Sequence, residues 1–277
     1  MIQIGEYNTL EILRETSVGL FLGDEEGNDI LLPNKYVPND YEIGDTITVF
    51  CYLDHEERPV STTLTPKITK NSFALLHVAE TSGIGAFLDW GLEKQLFVPF
   101  KEQARKMEAG KWYLVYAFLD EKTNRMVGSS KTNQFLSNEE LTITPDEEVD
   151  LIISRFTDIG VEVIINEKHK GLVYNNEIFH DLKLGGRQKG YVKKIREGNK
   201  VDISLQPIGY KNLEPVSQKV MDALKRNNGF LGLHDKSDPE DIKAILGMSK
   251  KSFKKAIGIL YKNRQLLIKD DGIHLIS

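Results

Sequence analysis

Cations and aromatic rings, rather than nucleophiles, are the side chains in this sequence whose grouping could do chemistry. One group is Lys168-His169-Lys170 with Tyr174, followed by Lys189, Lys193, Lys194, Arg196 and Lys200. A second is Lys250, Lys251, Lys254 and Lys255. These form i,i+4 pairs on a helix, on the face away from Phe253 and Ile257. Cations that track phosphates, beside rings that stack on bases, are what a single nucleic-acid strand needs. A solvated hairpin tip and an ordinary basic helix face are the alternative readings. The groupings that catalysis needs are missing. There is no lysine-bearing phosphate loop and no dinucleotide glycine fingerprint. Gly185-Gly186-Arg187-Gln188-Lys189-Gly190 precedes a strand and reads as a turn. The six histidines, His55, His77, His169, His180, His234 and His274, lack metal-ligand spacing. Asp24-Glu25-Glu26 and Asp146-Glu147-Glu148 read as solvated turns. No enzyme activity, cofactor or metal site is therefore expected.

The net charge of −5 over 277 residues disguises a gradient. Residues 1–65 carry 3 basic and 13 acidic side chains, and residues 137–149 carry none and 5. Residues 66–136 carry 10 and 7, residues 150–208 carry 10 and 8, and residues 209–277 carry 13 and 8. Phosphate binding follows local basic surface, so a nucleic-acid face belongs in the second half. The acidic start would repel it and suits a spacer or a protein partner. No apolar run is long enough to span a membrane, and no basic-then-apolar leader opens the sequence. The single cysteine, Cys51, excludes an internal disulfide framework and reads as a buried strand residue in the run Ile47 to Leu53.

These groups sit on an internal repeat. Val18-Gly19-Leu20-Phe21-Leu22, Ile84-Gly85-Ala86-Phe87-Leu88 and Ile159-Gly160-Val161-Glu162-Val163 align without gaps. A second glycine follows 25 residues later in each copy, as Gly44, Gly110 and Gly185. Leu31-Leu32-Pro33, Phe97-Val98-Pro99 and Leu172-Val173-Tyr174 each end 14 residues after the first glycine. Runs such as Thr46 to Leu53, Trp112 to Leu119 and Val201 to Leu205 are rich in strand formers. The first glycine is expected at a bulge or sharp bend, and the second in a turn. Five short strands in 65–75 residues make a small OB-type barrel. The predicted fold is mainly β: repeats at 1–65 and 66–136, an acidic linker with a third repeat at 137–208, then a different module at 209–277. That module reads as three helices and a hairpin, the winged helix-turn-helix order. Its helices are Val216 to Arg226, one carrying Ile242, Ile245 and Leu246 up to Gly247, and Lys250 to Arg264 capped by Ser249.

The repeats resemble the RNA-binding repeat named after ribosomal protein S-one, most closely in the third copy, with Lys170-Gly171-Leu172-Val173 and Lys200-Val201-Asp202-Ile203-Ser204-Leu205. Three repeats and a winged helix, with the segment from Gly247-Met248-Ser249 to Tyr261-Lys262, resemble the conserved virulence factor B family. That resemblance implies a cytoplasmic bacterial protein that binds RNA and influences gene expression. It also implies an exposed aromatic two residues after the first glycine, filled here by Phe21, Phe87 and Glu162. A histidine is expected where Pro33, Pro99 and Tyr174 stand, and a terminal-strand cation is present as Arg58, Arg125 and Lys200. Repeat two thus offers Phe87, Lys94 and Arg125, and repeat three most of the phosphate contacts. The partner expected is single-stranded RNA. A DNA-binding transcription regulator led by the winged helix, and a scaffold that docks proteins, stay open as alternatives.

Overall fold

The computed structural model describes residues 1–178, 181–205 and 215–276. His180 and the expected boundary at 208/209 lie outside the described residues. The chain divides into two units, Met1–Leu205 and Gln206–Ser277.

The first unit holds three closed five-stranded barrels. Barrel one comprises β1 (Tyr7–Thr16), β2 (Gly19–Gly23), β3 (Asp29–Pro33), β4 (Thr46–Leu53) and β5 (Pro59–Thr62). Barrel two comprises β6 (Ser72–Thr81), β7 (Gly85–Asp89), β8 (Leu96–Pro99), β9 (Trp112–Leu119) and β10 (Met126–Ser129). Barrel three comprises β11 (Glu148–Thr157), β12 (Gly160–Ile165), β13 (His169–Tyr174), β14 (Arg187–Arg196) and β15 (Lys200–Ser204). In each, the first strand pairs with the second and the fourth, and the third runs parallel to the fifth.

The repeat spacing is a register. Gly19 pairs across the ladder with Pro33, Gly85 with Pro99 and Gly160 with Tyr174. A Cβ on these glycines would lie 2.1, 2.4 and 2.1 Å from the carbonyl oxygens of Leu32, Val98 and Val173. Two backbones meet there with no room for a side chain. The long first strand also bends at a bulge, between Ile12 and Arg14, Val78 and Glu80, and Ile153 and Arg155. Gly44, Gly110 and Gly185 adopt φ of 97°, 79° and 71°, the left-handed turn expected before the fourth strand.

Several strands are buried on both faces. On β4, Val49 and Cys51 point into barrel one, while Phe50 and Tyr52 join barrel two's core. Phe50 meets Trp90 edge-on at 5.8 Å. Between barrels two and three, Phe73, Leu114, Leu136, Ile152 and Ile164 form a separate apolar cluster. Arg187 Nη2 donates to the Phe73 carbonyl at 2.7 Å across that seam. The barrels are therefore fused through apolar seams. Desolvation pushes the Cys51 thiol up to about 12, so its packing decides its role.

The acidic stretch after barrel two is laid against barrel three. Ile143 joins its core, and Asn138 exchanges hydrogen bonds with Lys170 and Asn199 backbones.

The second unit comprises α1 (Pro215–Arg226), β16 (Phe230–Leu231), α2 (Pro239–Leu246), α3 (Lys250–Lys262), β17 (Leu266–Lys269) and β18 (Gly272–Leu275). Asp238 and Ser249 cap α2 and α3 through their side chains, and Gly247 ends α2 in the left-handed conformation. Phe253, Ala256, Ile257 and Leu260 bury one face of α3. Ile245, expected on the apolar face of α2, is instead exposed, because Ile242 and Leu246 alone turn inward there. Among the described residues no helix is long and apolar enough to cross a membrane.

Candidate nucleic-acid interface

The second, third and fifth strands present the same set of positions on all three barrels. The first position, ahead of the repeat glycine, holds Val18, Ile84 and Ile159, all well exposed. Two residues after the glycine, Phe21, Phe87 and Glu162 face Leu31, Phe97 and Leu172 across the ladder. Arg58, Arg125 and Lys200 stand at the start of the fifth strand or just before it. Each set lines a groove, of about 600 Å³ on barrel one, 510 Å³ on barrel two and 670 Å³ on barrel three.

Their electrostatics differ. On barrel one, Arg58 is held within its own hairpin by Asp54 at 2.7 Å and Glu56 at 2.9 Å. Arg14 lies over the Phe21 ring at 4.2 Å, so that ring is covered. The same acidic hairpin reaches barrel two, where Glu57 pairs with Arg125. Lys94 Nζ donates to the Asp54 carbonyl at 2.5 Å, and desolvation holds its amine below the usual lysine value. Phe87 is half-buried against Phe97, ring centroids 5.1 Å apart. Barrel two's cations are thus occupied by barrel one's acids.

Barrel three keeps cations available. Lys170 and Lys200 line its groove, are exposed, and make no ion pair among the described residues. Tyr174 lies under Arg196 at 5.8 Å, and Asp202 holds Arg196 at 2.9 Å. Glu162, in place of an aromatic, pairs with Arg155 at 2.5 Å.

The groove brings together Lys170, Tyr174, Arg196 and Lys200, and leaves out the other candidates of this barrel. Lys168 is exposed beyond its edge. Lys189 pairs with Asp150 at 2.9 Å on β14, and that hydrogen bond holds its pKa above the usual lysine value. Lys193 neutralises the buried Glu177 at 2.9 Å, a structural duty. Lys194 is exposed on the same strand but does not line the groove. His169 is a correction. It is 3% exposed, its Nδ1 lies 2.7 Å from the Ser137 carbonyl and its Nε2 2.9 Å from Thr142 Oγ1. The segment packed on the barrel buries it, so it faces no ligand. On α3, Lys251, Lys254 and Lys255 are exposed, while Lys250 is half-buried and donates to the Lys236 carbonyl at 3.3 Å. Among the described residues no three His, Cys, Asp or Glu side chains converge to hold a metal ion.

Sequence reading missed Phe97, Leu172, Arg155 and Glu57. The first two lie 12 residues after the repeat glycine, a spacing that would have found them. Glu57 carries no such signal, since its partner is 68 residues away.

Comparison with known proteins bears on both units. Residues 4–64 match the S1 domain family and residues 218–275 the CvfB-like winged helix domain family. The first match falls on repeat one, whereas the sequence reading found its nearest resemblance in repeat three. "Conserved virulence factor B" of Staphylococcus epidermidis is 28% identical, covering 98% of this chain and 94% of that protein. "Uncharacterized protein YitL" of Bacillus subtilis is 28% identical, covering 94% and 89%. A crystal structure of a multidomain protein with nucleic acid binding domains from Streptococcus pneumoniae is 26% identical, with a TM-score of 0.45 and coverage of 99% and 98%. Over nearly its whole length, then, the chain is a homologue of the conserved virulence factor B proteins, with an S1 domain in its first barrel and a CvfB-like winged helix domain in its second unit.

Proposed function

We propose that this protein binds single-stranded RNA, with the barrel-three groove as its main site, and acts on gene expression at the RNA level rather than as an enzyme. An S1 domain and a winged helix domain both support nucleic-acid binding. The observation that carries the reading is the pairing pattern: Lys170 and Lys200 make no ion pair among the described residues, while Arg58 and Arg125 are neutralised. Tyr174, beside them, offers a ring for stacking. The reading places the protein in the cytoplasm, where RNA is met. The exposed lysines of α3 favour a second reading, in which the winged helix binds duplex DNA.

Fluorescence anisotropy with an oligouridylate and with duplex DNA of matched length separates the two. RNA binding should be the tighter, and should weaken by about 0.7 log units per contacted phosphate for each tenfold rise in salt. Tighter binding to duplex DNA, or a flat salt response, overturns the RNA reading.

A further inference from the structure

Barrels two and three leave a cleft of about 750 Å³ between them that the groove does not explain. Trp112, the first residue of β9, and Phe156, near the end of β11, stand in its walls, each 53% exposed. Rings this large are seldom left in water without a use. The His77 ring, 5.3 Å from the Trp112 ring at an angle of 58°, steadies the indole across the ladder. Two cations face the same space. Arg105 lies over Tyr113 at 5.6 Å, and Lys131 follows β10. Neither makes an ion pair among the described residues.

The cleft adjoins the barrel-three groove. Asn133, Ser154 and Glu162 line both, and Ser154 is the extra residue of the β11 bulge. A purely apolar ligand would have no use for the cations, and an acidic peptide none for two exposed rings. Rings, cations and amide side chains together fit unpaired bases on a phosphate backbone. The cleft also supplies what barrel three lacks, because Glu162 stands where the other barrels carry phenylalanine.

We propose that this cleft is a second site for single-stranded RNA, in which bases stack on Trp112 and Phe156 while Arg105 and Lys131 hold phosphates. A strand seated in the barrel-three groove continues past Glu162 into it. The proposal rests on the RNA reading above.

The test is a titration of the full-length protein with oligouridylates of about 4 and about 16 nucleotides, the range of site sizes for one OB fold. Anisotropy and tryptophan fluorescence are followed together. Trp90 is 2% exposed, so quenching reports on Trp112. The long oligomer should quench. Trp112→Leu should abolish the quench and weaken long-oligomer binding about tenfold, the expected worth of one stacked base. Phe156→Ala should weaken it similarly and leave the melting temperature unchanged, as the ring is largely exposed. Arg105→Ala with Lys131→Ala should lower the salt slope for the long oligomer. If the long oligomer binds Trp112→Leu and Phe156→Ala as tightly as the unaltered protein, the cleft is not a site and the groove reading stands. If the unaltered protein binds neither oligomer, both readings fall.

Discussion

Barrels one and three share a backbone and differ in what is bolted to it. Both have the bulge, the repeat glycine and the parallel closure of third and fifth strands. Both place an arginine just after the bulge, Arg14 and Arg155. In barrel one that arginine lies on Phe21; in barrel three it pairs with Glu162. The cation at the fifth strand shows the opposite trend. Arg58 is enclosed by Asp54 and Glu56 of its own hairpin, whereas the hairpin before Lys200 contributes Glu197-Gly198-Asn199 and leaves the lysine unpaired among the described residues. A barrel therefore does not specify a binding site. The few side chains that neutralise or release its cations do.

The strongest way to break this comparison is to break the frame both barrels share. Phe73, 1% exposed in the seam between barrels two and three, is predicted to cost about 3–5 kcal/mol on replacement by alanine, read by denaturant unfolding. A loss below 1 kcal/mol would mean the barrels are independent. Next is the groove itself. Lys170→Ala with Lys200→Ala should reduce affinity for oligouridylate about 10- to 100-fold, since each charged contact contributes about 1.5–3 kcal/mol at most. The same double change at Arg14 and Arg58 of barrel one should leave affinity within about twofold. Replacing Lys250, Lys251, Lys254 and Lys255 together by alanine should weaken RNA binding while abolishing any duplex DNA binding. The smallest effect sharpens the role of the acidic hairpin. Glu57→Gln releases Arg125, and because exposed ion pairs are worth about 0.2–1 kcal/mol, RNA affinity should rise no more than about fivefold. A fall in affinity would show that Glu57 supports the site instead of screening it.

Much of this frame was legible in the residues. Glycines 25 apart announced the turn and the close approach, and the spans Thr46–Leu53 and Trp112–Leu119 coincide with β4 and β9. The seams were half-visible. The unbroken apolar run through Val49, Phe50, Cys51 and Tyr52 signals a strand buried on both faces, but not what covers the second face. The site was less legible, because its character depends on partners distant in sequence. His169 looked like a hairpin-tip cation until Ser137 and Thr142, about 30 residues away, closed over it. Strand β16, two residues long, is too short for any periodic pattern to reveal.

The fused seams have a thermodynamic consequence. Elements that share apolar clusters lose stability together, so residues 1–205 should melt as one cooperative body. A ligand that binds only the folded form then stabilises all of it by an amount set by its concentration relative to its dissociation constant. Occupancy at barrel three would thus protect barrel one from heat and proteolysis, although barrel one touches no ligand. Amide exchange slowed in β1–β5 on addition of RNA would be the signature of that shared fate.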